Sequence, residues 1–236
     1  MRVVSLVPSL TEAVATTAPG LLVGATDYCT HPADLDVARV GGSKYPSIEK
    51  ILATKPDLVL MNEEENRRED ADALRAAGLE LFITYPRSVP EGLDDLTRLF
   101  GALLLPVPTW LEKARAAWAA TGAAVRTATA VIPVWRRPWV VLGGGTFAGD
   151  VLARLGVSNV YAGAPDRYPR PPLEELRASG ADLVVVPDEP YAFGPADGPE
   201  AFPGRRCVFV SGRHLTWYGP SLAEAPEVLR HQLEDR

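Results

Sequence analysis

The strongest constraint on the fold is a helix–strand unit that occurs twice. Residues 46–66 read PSIEKILATKPDLVLMNEEEN. Ser47 is placed to cap a helix, and Glu49 falls in the first turn, where a carboxylate meets unpaired amides and the positive end of the helix dipole. Ile48, Ile51 and Leu52 recur at helical spacing. Lys55-Pro56 stops the helix, because proline lacks a donor and restricts the residue before it. Asp57 then leads into LVLM, a short unbroken apolar run that suits a parallel strand buried on both faces. The strand ends in the polar cluster Asn62-Glu63-Glu64-Glu65-Asn66. The same grammar returns as PLEELRASGADLVVVPDE, 125 positions later. Ile48 falls on Leu173, Glu49 on Glu174, Ile51 on Leu176, Ala53 on Ala178, Asp57-Leu58-Val59 on Asp182-Leu183-Val184, and Glu64 on Glu189. Identities in one register predict two related α/β lobes.

The rest of the chain fits two such lobes, with boundaries expected at 1–105 and 130–236 and a connecting helix within 106–129. VVSLV reads as the first strand, followed by a helix capped by Ser9 or Thr11 with Glu12 in its first turn. LLVGATDYCTHP is a second strand ending in polar residues, REDADALRAAG a helix closed by Gly78, and LELFITYPR a further strand. Strands separated by helices give a parallel sheet. The alanine-rich TWLEKARAAWAATGAAVRTA then predicts one stiff helix near 109–127, with Leu111, Ala114, Trp118 and Val125 on one face. The second lobe is expected to restart at WVVL, a strand, followed by the glycine-rich turn GGGTF and the helix AGDVLARLG. The letters Gly143, Gly145 and Ala148 mimic a dinucleotide fingerprint, but no acidic ribose partner follows and no Walker Lys-Ser/Thr is present, so a tight strand–helix turn is the better reading.

Charge and composition remove some functions. A net charge of −6 opposes a nucleic-acid partner, which would need a basic face. No apolar run reaches membrane-spanning length. Two cysteines, Cys29 and Cys207, do not make a disulfide framework. VVSLV is too short for a secretory leader and is needed as a strand, which predicts a cytoplasmic protein unless a leader had already been removed.

In open α/β sheets the ligand crevice lies beyond the carboxyl ends of the strands. The residues expected there are Cys29, His31, Lys44, Glu65, Asn66, Thr146, Tyr168, Glu189, Tyr191, Phe193, Arg213, His214, Trp217 and Tyr218. Trp217, Tyr218, Tyr191 and Phe193 are expected as an aromatic wall from the second lobe, facing Cys29, His31, Lys44 and Asn66 from the first across a cleft. Cys29-x-His31 is a weak metal signal, and a packed thiol beside a hydrogen-bonded imidazole is the better reading. An enzyme would need Cys29 as a nucleophile activated by His31 or His214, or Glu65 and Glu189 as an acid–base pair. No hydrolase elbow or metalloprotease motif accompanies them.

RVVSLVPSLTE, VGATDYCTHP, VGGSKYPSIEKILATKPDLVL, PPLEELRASGADLVVV and SGRHLTWYG together resemble the cobalamin- and iron-chelate-binding proteins of ABC importers. NEEEN, VWRRPWV, RYP, DEPYAF and WYG are similar to the branch called helical backbone metal receptors. The resemblance covers essentially the whole chain. It implies two Rossmann-like lobes with parallel sheets joined by a single long helix, a ligand cleft between the lobes, and a corrinoid or metal chelate as ligand, with direct metal binding undetermined. It also implies that one exposed glutamate per lobe, here Glu49 and Glu174, docks onto a permease. With no leader in the sequence, the expectation is a non-exported carrier or sensor rather than an enzyme. The alternatives are an exported protein delivering a corrinoid or siderophore to a permease, and an enzyme using Cys29 and His31.

Overall fold

The repeat survives in three dimensions with its spacing intact. The computed structural model describes residues 1–121 and 125–234. Its strands and helices, in chain order, begin with β1 (Val3–Ser5), α1 (Pro8–Thr17), β2 (Leu22–Ala25), β3 (Ala38–Arg39), α2 (Ile48–Ala53), β4 (Leu58–Asn62), α3 (Arg68–Ala76) and β5 (Glu80–Thr84). Next come α4 (Val89–Ala102), α5 (Thr109–Ala119), β6 (Ala128–Val131), β7 (Pro133–Trp135), β8 (Val140–Val141), α6 (Phe147–Arg154) and β9 (Val157–Asn159). The chain closes with α7 (Leu173–Ala178), β10 (Leu183–Pro187), β11 (Arg206–Val210), α8 (Gly212–Thr216) and α9 (Ala225–Glu234). The boundaries of α2 and β4 each recur in α7 and β10 at the predicted shift.

The chain divides into two units. Unit 1 holds residues 1–85, 94–112 and 218–220, and unit 2 holds 86–93, 113–217 and 221–236. Unit 1 carries a five-stranded sheet ordered β3-β2-β1-β4-β5, all pairs parallel. Unit 2 carries a four-stranded parallel sheet ordered β11-β10-β6-β9. With β2 matched to β9, β1 to β6, β4 to β10 and β5 to β11, the strand orders coincide, and β3 is an addition at the edge of unit 1. An equivalent aspartate starts each repeated strand. Asp57 accepts a hydrogen bond from the Arg2 amide (2.6 Å), and Asp182 accepts from the Thr129 amide and hydroxyl (both 2.7 Å). Each thus ties the incoming loop to the start of the neighbouring strand. Buried aliphatics form the cores: Val4, Leu6, Ile51, Val59, Met61 and Leu74 in unit 1, and Val131, Val141, Leu176, Val184 and Val186 in unit 2.

Three local expectations are corrected. The first helix starts at Pro8, with Val7 in the capping position and no side-chain cap, because proline supplies a preset φ at a site with no amide partner to lose. Thr11 lies inside that helix and returns its hydroxyl to the Val7 carbonyl (2.9 Å). The alanine-rich helix starts where expected and buries Leu111, Ala114 and Trp118, but it ends at Ala119. Residues 122–124 of that prediction lie outside the described residues, and Val125 is 83% exposed in non-helical chain. WVVL is not the opening strand of the second sheet. Its Val140–Val141 pair antiparallel with β7 in a separate ribbon, and the sheet opens earlier, at β6. Helix α4, which had no sequence expectation, buries Val89, Leu93, Leu96, Leu99 and Phe100 along one stripe.

Gly143–Gly145 form a packing turn. A Cβ on Gly143 would sit 2.0 Å from the Asp166 carbonyl oxygen, and one on Gly144 would sit 2.5 Å from that of Ala162. The chain's own backbone fills the space that a phosphate would need.

Candidate functional site

In each unit the groups that could meet a ligand follow the carboxyl ends of parallel strands, but the two edges are built differently. At the unit 1 edge, β4 ends in Asn62, which is buried. Its Oδ1 accepts from the amides of Glu64 (2.7 Å) and Glu65 (3.3 Å), and its Nδ2 donates to the Tyr218 hydroxyl (2.8 Å). Tyr218 also shares a 2.8 Å hydrogen bond with Thr84 at the end of β5. Asn66 closes the loop: its Oδ1 accepts from the Asn62 amide (2.8 Å), and its Nδ2 donates to the carbonyls of Leu6 (3.3 Å) and Ser43 (3.0 Å). Lys44 donates to the Glu64 carbonyl. A second lock holds the loop after β2, where the Arg39 guanidinium donates to the carbonyls of Thr26, Cys29 and Leu35 (2.9, 2.9 and 3.1 Å).

On this edge Tyr85, directly after β5, is 38% exposed, and two further rings stand farther out in solvent. Tyr28, after β2, is 66% exposed, and Tyr45, before α2, is 75% exposed. Gly42 lies against Tyr28, since a Cβ there would be 3.4 Å from its ring. The Arg67 guanidinium sits 4.6 Å from the Tyr45 ring centroid, while its fork holds the buried Asp70 (2.7 and 2.9 Å). Tyr28, Tyr45, Lys44 and Arg67 form an aromatic and cationic surface. Neither tyrosine nor Arg67 was among the expected site residues. The available signal was an aromatic ring standing in a polar, glycine-bearing loop.

At the unit 2 edge, Asp188 and Glu189 follow β10. Asp188 Oδ1 accepts the Gly212 amide (2.7 Å). Glu189 is half-buried, with Trp217 hydrogen-bonded to its carboxyl and Arg213 nearby. Burial raises its pKa, the Asp188 charge raises it further, and the Trp217 bond and Arg213 only partly oppose this. His214 is tied through Nδ1 to Ser211 (2.8 Å) and through Nε2 to Glu224 (3.0 Å), and Arg213 lies 3.7 Å from the same glutamate.

Several expected ligand contacts are withdrawn. Cys29 has no exposed surface, and its thiol sits between the hydroxyls of Thr11 (3.0 Å) and Thr26 (3.2 Å). Burial pushes the thiol pKa up, the opposite of what a nucleophile or metal-binding thiolate needs. Asn66 spends its amide on backbone. Thr146 is buried and caps α6 by accepting from the Gly149 amide (3.3 Å). The aromatic wall is also corrected. Phe193 is buried in the unit 2 core, stacked on Trp139, and Tyr191 packs on Phe193 while its hydroxyl donates to Asp197 (2.6 Å). Tyr218 belongs to unit 1 and is buried there. Of the four rings, Trp217 and Tyr191 are half-exposed, and Trp217 is the one hydrogen-bonded to the Glu189 carboxyl. His31 and Tyr168 are exposed, Glu65 is half-buried, and His31 Nδ1 lies 3.2 Å from the Thr30 hydroxyl. Glu49 and Glu174 are both exposed, in the first turns of α2 and α7.

Comparison with known proteins agrees with this architecture. The family model described as "Periplasmic binding protein" matches residues 3–197. The vitamin B12-binding protein of Photorhabdus laumondii is 27% identical over 255 aligned positions, covering 100% of this chain and 88% of that protein. Among solved structures, the periplasmic vitamin B12-binding protein of Vibrio cholerae superposes with a TM-score of 0.76 at 20% identity, covering 99% of this chain and 96% of that one. The periplasmic heme-binding protein of Roseiflexus sp. RS-1 gives 0.79 at 23% identity, covering 98% and 97%. The expected cytoplasmic location is overturned by these matches, which are to periplasmic proteins.

Proposed function

Because this chain belongs to the periplasmic binding protein family, we propose that it captures a flat metal macrocycle, of the corrinoid or heme class, and delivers it to an ABC permease. The observation that carries the ligand class is the pair of exposed tyrosines on the locked edge of unit 1. Exposed rings leave apolar area in water, and here they stand beside Lys44 and Arg67. A planar ring system with polar or acidic margins would cover the tyrosines and meet the cations. The names of the B12- and heme-binding relatives support the same class. Cys29 and Tyr218 then serve the scaffold, and chemistry on the ligand is not required of this chain.

The test is direct titration of the purified protein with cyanocobalamin and with hemin, read by absorbance and equilibrium dialysis. One of them is expected to be retained, and Tyr45→Ala should weaken it by about 1–3 kcal/mol, the scale of a large aromatic contact. Failure to retain either would end this reading. For delivery, we assign docking to Glu49 and Glu174, supported by their exposure on equivalent helices of the repeat. Glu49→Arg with Glu174→Arg should leave ligand affinity unchanged and abolish permease-dependent uptake. Unimpaired uptake would remove the assignment.

A further inference from the structure

We propose that the cavity beside α3 in unit 1 binds a small dicarboxylate with an apolar body. The cavity measures about 390 Å³, a size that holds small molecules, and its lining lies wholly between residues 61 and 83. Its apolar floor is Met61 of β4, Ile83 of β5 and Ala71 of α3. Around that floor stand the guanidinium side chains of Arg67, Arg68 and Arg75. Arg67, at the N-cap of α3, and Arg68, Ala71 and Arg75 within it recur at helical spacing, so they share one face. Three arginines over one apolar floor are a local reversal in a chain whose net charge is −6.

The acids nearby leave this charge available. Glu63 is the one carboxylate in the lining among the described residues, and it is exposed. Asp70 is buried and accepts from Nε and Nη2 of Arg67 (2.9 and 2.7 Å), which fixes that guanidinium and leaves Nη1 outside the pair. Asp72 lies outside the lining and serves both Arg75 (3.2 Å) and Arg68 (3.9 Å). Both of its pairs are exposed, and exposed pairs contribute little, so a ligand carboxylate can replace them. Asn62 and Asn66 also border the cavity, but their amides are spent on the network at the end of β4. Recognition therefore falls to the arginines. A guanidinium meets a carboxylate through two parallel N–H···O bonds, so a set of them suits a ligand with more than one carboxylate. The floor favours a carbon skeleton over an inorganic ion, because only the former gains by leaving water there. Arg67 also lies against Tyr45, so the cavity adjoins the surface proposed for the macrocycle while needing nothing from it.

Phthalate is the probe, with dimethyl phthalate as its neutral counterpart and inorganic phosphate as an anion without a carbon body. Isothermal titration calorimetry of the full chain is run at low ionic strength, with neither cyanocobalamin nor hemin present. One saturable site for phthalate is expected, with weaker binding of phosphate and none of the ester. Arg68→Gln and Arg75→Gln, both at exposed positions, should each weaken phthalate about tenfold, the scale of one lost charged hydrogen bond. Arg230→Gln removes the same charge from an exposed position on α9 and should leave phthalate affinity unchanged. Absence of saturable phthalate binding, phosphate binding as tight as that of phthalate, or an equal loss in Arg230→Gln would each overturn the site. Retention of cyanocobalamin or hemin is measured separately, so the macrocycle reading and this one fail independently.

Discussion

Asn62 and Pro187 occupy the same place in the repeat, at the ends of β4 and β10, and the two strand ends are built from different side chains. After β4, each buried polar group of the asparagine network is paired: Asn62 with two amides and a phenol, Asn66 with three backbone groups, and Tyr218 with Thr84. After β10, a half-buried carboxylate keeps one oxygen without a donor. A satisfied buried network fixes a single arrangement, whereas an unsatisfied group stores a preference that can be tipped. A duplicated frame thus carries an asparagine and tyrosine network in one unit and a half-buried carboxyl beside a tryptophan in the other.

The comparison breaks most visibly if Asn62 is removed. Asn62→Ala strands the Glu64 and Glu65 amides and leaves the buried Tyr218 hydroxyl short of a donor. A loss of about 2–4 kcal/mol is expected in chemical denaturation, the range for breaking a buried network. A loss below about 1 kcal/mol would mean that water replaces the side chain. Tyr218→Phe removes the hydroxyl alone and should cost about 1–2 kcal/mol. Paired with Thr84→Val in a double-mutant cycle, it should show less than additive loss, since both changes delete the same bond.

The opposite edge gives a smaller effect with a defined sign. The Glu189 pKa is raised in the folded state, so the folded chain holds this proton more tightly than the unfolded chain does. Its contribution is fully present below 4.5 and is lost as pH rises through the folded value. Glu189→Gln should flatten that segment of the stability–pH curve and make the protein relatively more stable at neutral pH. A parallel curve for the variant would show that the carboxyl does not sense its burial. The smallest effect separates the helices that precede the two strands. Ser47 caps α2 by accepting from the Lys50 amide (3.2 Å), whereas α7 begins after Pro172 with no side-chain cap. Ser47→Ala should cost about 0.5–1 kcal/mol, and Pro172→Ser should recover a few tenths if capping is what differs.

The elements that were legible in the sequence were those whose identity depends on local pattern. Ile48, Ile51 and Lys55-Pro56 mark a helix and its end, LVLM marks a buried strand, and the same letters recur at Leu173 and Leu183. Pairing was not local. Val140–Val141 are as apolar as any sheet strand, and only the partner, β7, makes them an antiparallel ribbon. The site was harder still. Phe193 and Tyr28 look alike as aromatics in loops, yet one fills a core beside Trp139 and the other stands 66% exposed. Cys29 and Asn66 follow strands, as ligand contacts do, but their polar atoms are consumed by threonine hydroxyls and by backbone. What separates display from scaffolding is the set of partners each side chain finds across the fold, and spacing along the chain does not encode it.

Arg39 adds a kinetic consequence. One guanidinium gathers the carbonyls of Thr26, Cys29 and Leu35, so the loop carrying Tyr28 is ordered before anything arrives. A surface made ready in advance gives up little conformational freedom on capture. Encounter then needs no loop closure on this side, and arrival should be limited by diffusion and orientation. Differences in affinity among the macrocycles proposed as ligands should accordingly appear in how long each one stays, with arrival rates nearly alike.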